Sequence, residues 1–149
     1  MPVKLQLAYP GNPFPMNHEE AFAKAFIISA KRARFLQFLA NPKRRKEMLQ
    51  RLSHGLPYIQ TLAWVVPVAQ DFPDELEKLL RARGAGPTCH VISDGLSIDG
   101  KGVPLREALF AICMHGPGAI LCCVAGRLAY YKPESPGQGV ILERPQATA

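Results

Sequence analysis

The succession of elements readable in this chain is that of an α+β protein, with a helical N-terminal half packed on one face of a small, mostly antiparallel C-terminal sheet. Three observations predict it. Apolar residues recur at helical spacing through Phe35, Leu36, Phe38 and Leu39 and again through Met48, Leu49, Leu52 and Leu56. Beyond Gly86-Pro87 the chain breaks into short β-prone runs separated by glycine and proline. The order after residue 87 then reads β-α-β-β-β, and short turns between strands favour antiparallel neighbours. A chain of 149 residues, 48% hydrophobic and 20% charged, is expected to form a single domain able to bury a core without metal or disulfide staples.

The first sixteen residues hold prolines at 10, 13 and 15 and are expected to form a proline-rich arm, in which only Val3 to Leu7 could pair as an edge strand. The same prolines interrupt the early apolar patch before a secretory leader core could form. No apolar run approaches the roughly 18 to 20 residues needed to span a bilayer, so no membrane partner and a cytoplasmic address are expected. Asn17, with Glu20 three residues later, has the pattern of a capping box opening a helix. That helix either runs unbroken to Ala40 or breaks at Phe26-Ile27-Ile28, a β-prone run after which Ser29 could cap a second helix.

Asn41-Pro42 then forms a corner. Asn is a favoured N-cap, and proline at the first helical position loses only an amide hydrogen without an intrahelical partner, so a helix begins at Pro42. Gly55 and Pro57 end it. Tyr58 to Val68, with Trp64, reads as a strand or a buried extended connector, kept from the centre of a sheet by Pro67. Asp71 is placed to cap a helix with Pro73 in its first turn, acids early, cations late, and Gly84 and Gly86 at its end. Thr88 to Ser93 is the next strand, residues 94–102 a glycine-rich loop, and Pro104 to His115 a helix stopped by Gly116-Pro117. Ala119 to Val124 and Arg127 to Lys132 form a hairpin, Val140 to Arg144 is the last strand, and residues 145–149 are a frayed tail.

The functional signal is a charge anomaly. The segment from Lys31 to His54 holds Lys31, Arg32, Arg34, Lys43, Arg44, Arg45, Lys46 and Arg51 against the one acid Glu47, a net of +7 in a chain whose total is +6. Four of those cations fill the first turn of the helix that starts at Pro42, where the backbone dipole is already positive. Exposed charges so placed cost roughly 0.3 to 1 kcal/mol each, and an anion bound there would offset that cost. The eight residues are therefore the candidate anion-binding set of a non-enzymatic binding protein. A nucleic-acid backbone is the favoured partner, bound mainly through phosphate since no zinc-finger, RNP or helix-turn-helix pattern is present. The alternative is a regulator or inhibitor docking on an acidic protein surface, with Phe14, Tyr58 or Trp64 as apolar anchors beside the charge.

Chemistry is less well supported. Gly95 to Lys101 has phosphate-loop spacing, but Gly102 stands where a Ser or Thr must hold magnesium, and Asp99 lies inside the cradle. Cys89, Cys113, Cys122 and Cys123 with His90 and His115 lack a paired Cys-x-x-Cys, and neighbours on a strand point oppositely, so no metal and no cofactor are expected. A small enzyme with its site around the 94–101 loop would need a cleft joining His90, Asp94, Asp99 and Lys101. Tyr130 and Tyr131 alternate on a strand, so only one of them could stack on a base beside Arg127.

Overall fold

Asn17 opens the first helix as its spacing predicts: its side-chain oxygen accepts from the amides of Glu19 and Glu20 at 2.9 and 3.1 Å. The computed structural model describes residues 17–145 apart from 95, 116–117 and 135–137, and leaves the side chain of His115 aside. The expected arm, with Val3 to Leu7 and Phe14 in it, and all of the expected tail beyond Pro145 lie outside the described residues.

The α+β architecture is as expected. Helix α1 (His18–Phe26) is followed by α2 (Ser29–Ala40), α3 (Pro42–Arg51), strand β1 (Ala63–Val65), α4 (Pro73–Ala82), β2 (Thr88–Ser93), β3 (Gly102–Pro104), α5 (Leu105–His115), β4 (Ala119–Val124), β5 (Leu128–Lys132) and β6 (Val140–Glu143). The strands form one sheet in the order β1-β6-β5-β4-β2-β3, every pair antiparallel.

The open question over residues 26–29 resolves as a break. Ile27 is extended and bridges Tyr58, the Ile28 amide donates to the Pro57 carbonyl at 3.0 Å, and the Ile59 amide donates to Phe26 at 2.8 Å. The β-prone run thus pairs with the segment after α3 instead of continuing a helix. Ser29 does not cap: it is the first residue of α2, whose N-cap, Ile28, has no side-chain bond.

Three further expectations change. Asp71 does not cap α4. Its carboxylate accepts from Tyr130 at 2.5 Å, from Lys132 at 2.7 Å and from the Gly139 amide at 2.9 Å, tying the approach to α4 to the sheet. The end of the glycine-rich loop is strand β3, so the order after residue 87 gains a strand before its helix. Helices also cover both faces of the sheet. On one, α1 to α3 pack against Ile92, Ile120, Cys122, Ala129, Tyr131 and Leu142. On the other, α4 and α5 pack against Val91, Leu121, Cys123, Leu128, Tyr130 and Ile141. Tyr130 and Tyr131 are consequently both buried, their hydroxyls donating to Asp71 and to the Leu52 carbonyl, and neither offers a stacking surface. Among the described residues no helix is long and apolar enough to cross a membrane.

Candidate anion-binding site

The corner at Asn41 turns α3 back along α2. Asn41 Oδ1 accepts from the amides of Lys43 and Arg44 at 3.0 and 3.2 Å, and its carbonyl takes the Arg45 amide at 2.7 Å. The first amides of α3 are therefore already occupied, and the cradle of free amide hydrogens expected there is closed by its own cap. What remains for an anion is the side chains.

These divide into three groups. Arg45 and Arg32 turn inward. Arg45, whose side chain is only 18% exposed, grips Glu19 of α1 through Nη1 and Nη2 at 2.8 Å each. It grips Asp99 of the loop after β2 through Nε at 3.0 Å and Nη2 at 2.9 Å. His90 Nε2 lies 2.9 Å from Glu19 Oε2, and His18 stacks flat on His90 with ring centroids 5.4 Å apart. Burial alone would raise the Glu19 carboxyl, but the hydrogen bonds from His90 and Arg45 outweigh it and hold it at about 2. Burial, and then the neighbouring His90, lower the His18 imidazole below its ordinary value. Arg32 Nη2 donates to the Ile27 carbonyl at 3.0 Å, closing the break between α1 and α2. Both arginines are ties between elements, with few donors left for a ligand.

The second group converges. Arg34 and Phe38 lie one turn apart on α2, and Arg44 and Arg51 lie two turns apart on α3. The guanidinium carbons of all three arginines sit over the Phe38 ring, at 5.3, 5.3 and 5.7 Å from its centroid. Each cation on an aromatic face gains about 0.5 to 1 kcal/mol when exposed. Lys31 joins Arg34 and Arg51 on the lip of a groove of about 650 Å³, floored by Phe35, Met48, Leu52 and Leu56. A second hollow of about 610 Å³, lined by Ala33, Gln37, Phe38, Asn41 and Arg44, shares Ala30 and Arg34 with the first.

The third group, Lys43 and Lys46, is exposed on α3 and lines neither hollow. All twelve Asp and Glu of the chain fall among the described residues, yet only Glu47 makes an ion pair with any of these six surface cations. It does so with Arg44 at 3.5 Å, both side chains more than half exposed. Such a pair contributes about 0 to 1 kcal/mol, so the hairpin keeps a nearly uncompensated positive field.

Set against known protein families, curated proteins and solved structures, the chain matches none of them.

The other candidate chemistries take the following positions. Asp99 is spent on Arg45 and on the Ser93 amide, which donates to it at 3.0 Å, and His90 is spent on Glu19. These two are brought into one cluster with Glu19 and Arg45, and neither hollow of the α2–α3 hairpin is lined by His90, Asp94, Asp99 or Lys101. Among the described residues no three His, Cys, Asp or Glu side chains converge as a metal site would need. Burial pushes the Cys89 thiol up to about 12 and raises those of Cys122 and Cys123 well above their ordinary value, the opposite of what a nucleophilic thiolate requires. Trp64 is partly exposed at the sheet edge, but Arg83 covers its ring at 5.0 Å. Tyr58 is half-buried against Tyr131.

Sequence reasoning singled out the cations of this site but missed Phe38 as the ring that gathers three of them. The signal was present in the spacing of Arg34 and Phe38, which four residues apart must share a helix face.

Proposed function

We propose that this chain is a non-enzymatic binding protein that engages an anionic partner through the solvent face of the α2–α3 hairpin, with Arg34, Arg44, Arg51 and Lys31 at the centre and Lys43 and Lys46 at the margin. One observation carries the reading: three guanidinium groups gather on the Phe38 ring with a single, exposed carboxylate beside them. Like charges held so close oppose folding unless a counter-charge arrives, and arginine in this setting offers planar, multidentate donors suited to carboxylate or phosphate. A nucleic-acid backbone is the commonest polyanion and remains one candidate. The apolar groove beside the cations favours the other, an acidic protein segment, because a phosphate backbone has nothing to place on such a floor.

The test is binding of a labelled mixed-sequence oligonucleotide and of an acidic polypeptide across a salt series, by the native chain and by the triple variant Arg34→Gln, Arg44→Gln, Arg51→Gln. Binding that weakens steeply with salt and is lost in the folded variant supports the reading. Equal affinity of native and variant chains for both polyanions overturns it.

A further inference from the structure

Resting on that reading, we infer that the partner is a protein segment that docks as an acidic amphipathic helix, its apolar stripe laid into the groove between α2 and α3 and its carboxylates on the flanking cations. The argument begins with the groove's two chemistries. Its floor is Phe35, Met48, Leu52 and Leu56, while its polar heads are cations on both walls, Lys31 and Arg34 from α2 and Arg51 from α3. None of those three has a carboxylate partner among the described residues. A ligand that satisfies both chemistries presents an apolar strip flanked by acids on each side. A helix with Leu or Phe at i, i+3, i+4 and i+7 and Asp or Glu beside them has that pattern.

Shape agrees with this. Two helices folded back on each other leave a furrow into which a third packs with its axis 8 to 10 Å away. The two hollows share Ala30 and Arg34 in their linings, and the α2 residues that line one or the other, with the Asn41 cap, run from Ala30 to Asn41. At 1.5 Å rise per residue that stretch of α2 is roughly 16 Å long, about three turns of a docked helix. Ala30, which lines both hollows, is exposed and small, leaving room for an anchor side chain. Met48, half-buried on the floor, is the adaptable side chain suited to receiving one. A nucleic-acid duplex would meet the same cations but leave the floor without an apolar partner.

The experiment uses the full chain and four probes: an eighteen-residue peptide with a Leu/Phe stripe flanked by Glu, its scrambled isomer, polyglutamate of the same length, and a mixed-sequence oligonucleotide. Two variants accompany it, the triple arginine-to-glutamine variant and Ala30→Trp, which fills the groove from an exposed helical position and leaves every cation in place. Circular dichroism confirms that each is folded. The expected result is that the striped peptide binds about tenfold or more tightly than its scramble, gains helicity on binding, and is weakened by about tenfold in both variants. If scramble, polyglutamate and striped peptide bind alike, fall together in the arginine variant and ignore Ala30→Trp, the helix proposal is overturned and the anionic-partner reading survives. If the oligonucleotide binds most tightly and ignores Ala30→Trp, the helix proposal is overturned in favour of a nucleic acid. If no probe binds at low salt, both readings fall.

Discussion

Replacing Arg45 by Gln would leave Glu19 and Asp99 facing each other across the space their shared cation now fills, with His90 the one remaining side-chain donor to Glu19 among the described residues. Removing one partner of a buried ion pair costs about 3 to 5 kcal/mol, and an 18% exposed guanidinium belongs at the low end of that range. Urea unfolding of Arg45→Gln is therefore expected to show a loss of about 3 kcal/mol, against little change for Lys46→Gln one position along. The same cluster sets a pH dependence. Glu19 titrates at about 2 in the folded chain against an ordinary 4.5. Its folded-state value is depressed, so its contribution is complete above 4.5 and is lost as pH falls from there through 2. Urea midpoints measured at pH 5 and pH 3 should fall on acidification in the native chain and fall less in Glu19→Gln; equal slopes would show that the carboxylate is not held by its partners.

At the scale of the element, α3 contrasts with α4. Helix α4 opens with Asp74 and Glu75 and has Arg81 in its last turn, as its dipole prefers, whereas the first turn of α3 has no acid. What holds the start of α3 is Asn41, which accepts two amides. Asn41→Ala should destabilise by about 1 kcal/mol in thermal or urea unfolding. Lys43→Glu should do the reverse, adding roughly 0.3 to 1 kcal/mol at low ionic strength while weakening the anionic partner. Stability and affinity moving in opposite directions in one variant would mark the basic turn as kept for binding. A drop in stability would show that the lysine has a structural role.

For the molecule as a whole, the two-faced sheet governs accessibility. Neighbouring Cys122 and Cys123 point to opposite faces, yet both are buried, since α1 to α3 cover one face and α4 and α5 the other. A thiol reagent should leave Cys89, Cys122 and Cys123 unmodified in the native chain and modify Cys113, which is only half-buried, first. Rapid native labelling of Cys123 would mean that the α4–α5 layer opens readily. The covering of both faces was in fact written in the strands. Leu128 to Tyr131 and Val140 to Leu142 are continuous apolar runs, and a sheet solvated on one face would alternate.

The sequence by itself determined the helix starts at Asn17 and Asn41, the hairpin turning at Gly126, and the segment in which positive charge gathers. Each depends on caps, turns and periodicities that act within a few residues. Only the tertiary structure decided which cations stay available. Arg45 meets Glu19 and Asp99 across 26 and 54 residues of chain, distances over which no local pattern speaks. Phe38 collects Arg34, Arg44 and Arg51 only because α3 folds back along α2. Local chemistry set the inventory of charge, and long-range contacts, which depend on how helices cross, sorted it into struts and surface.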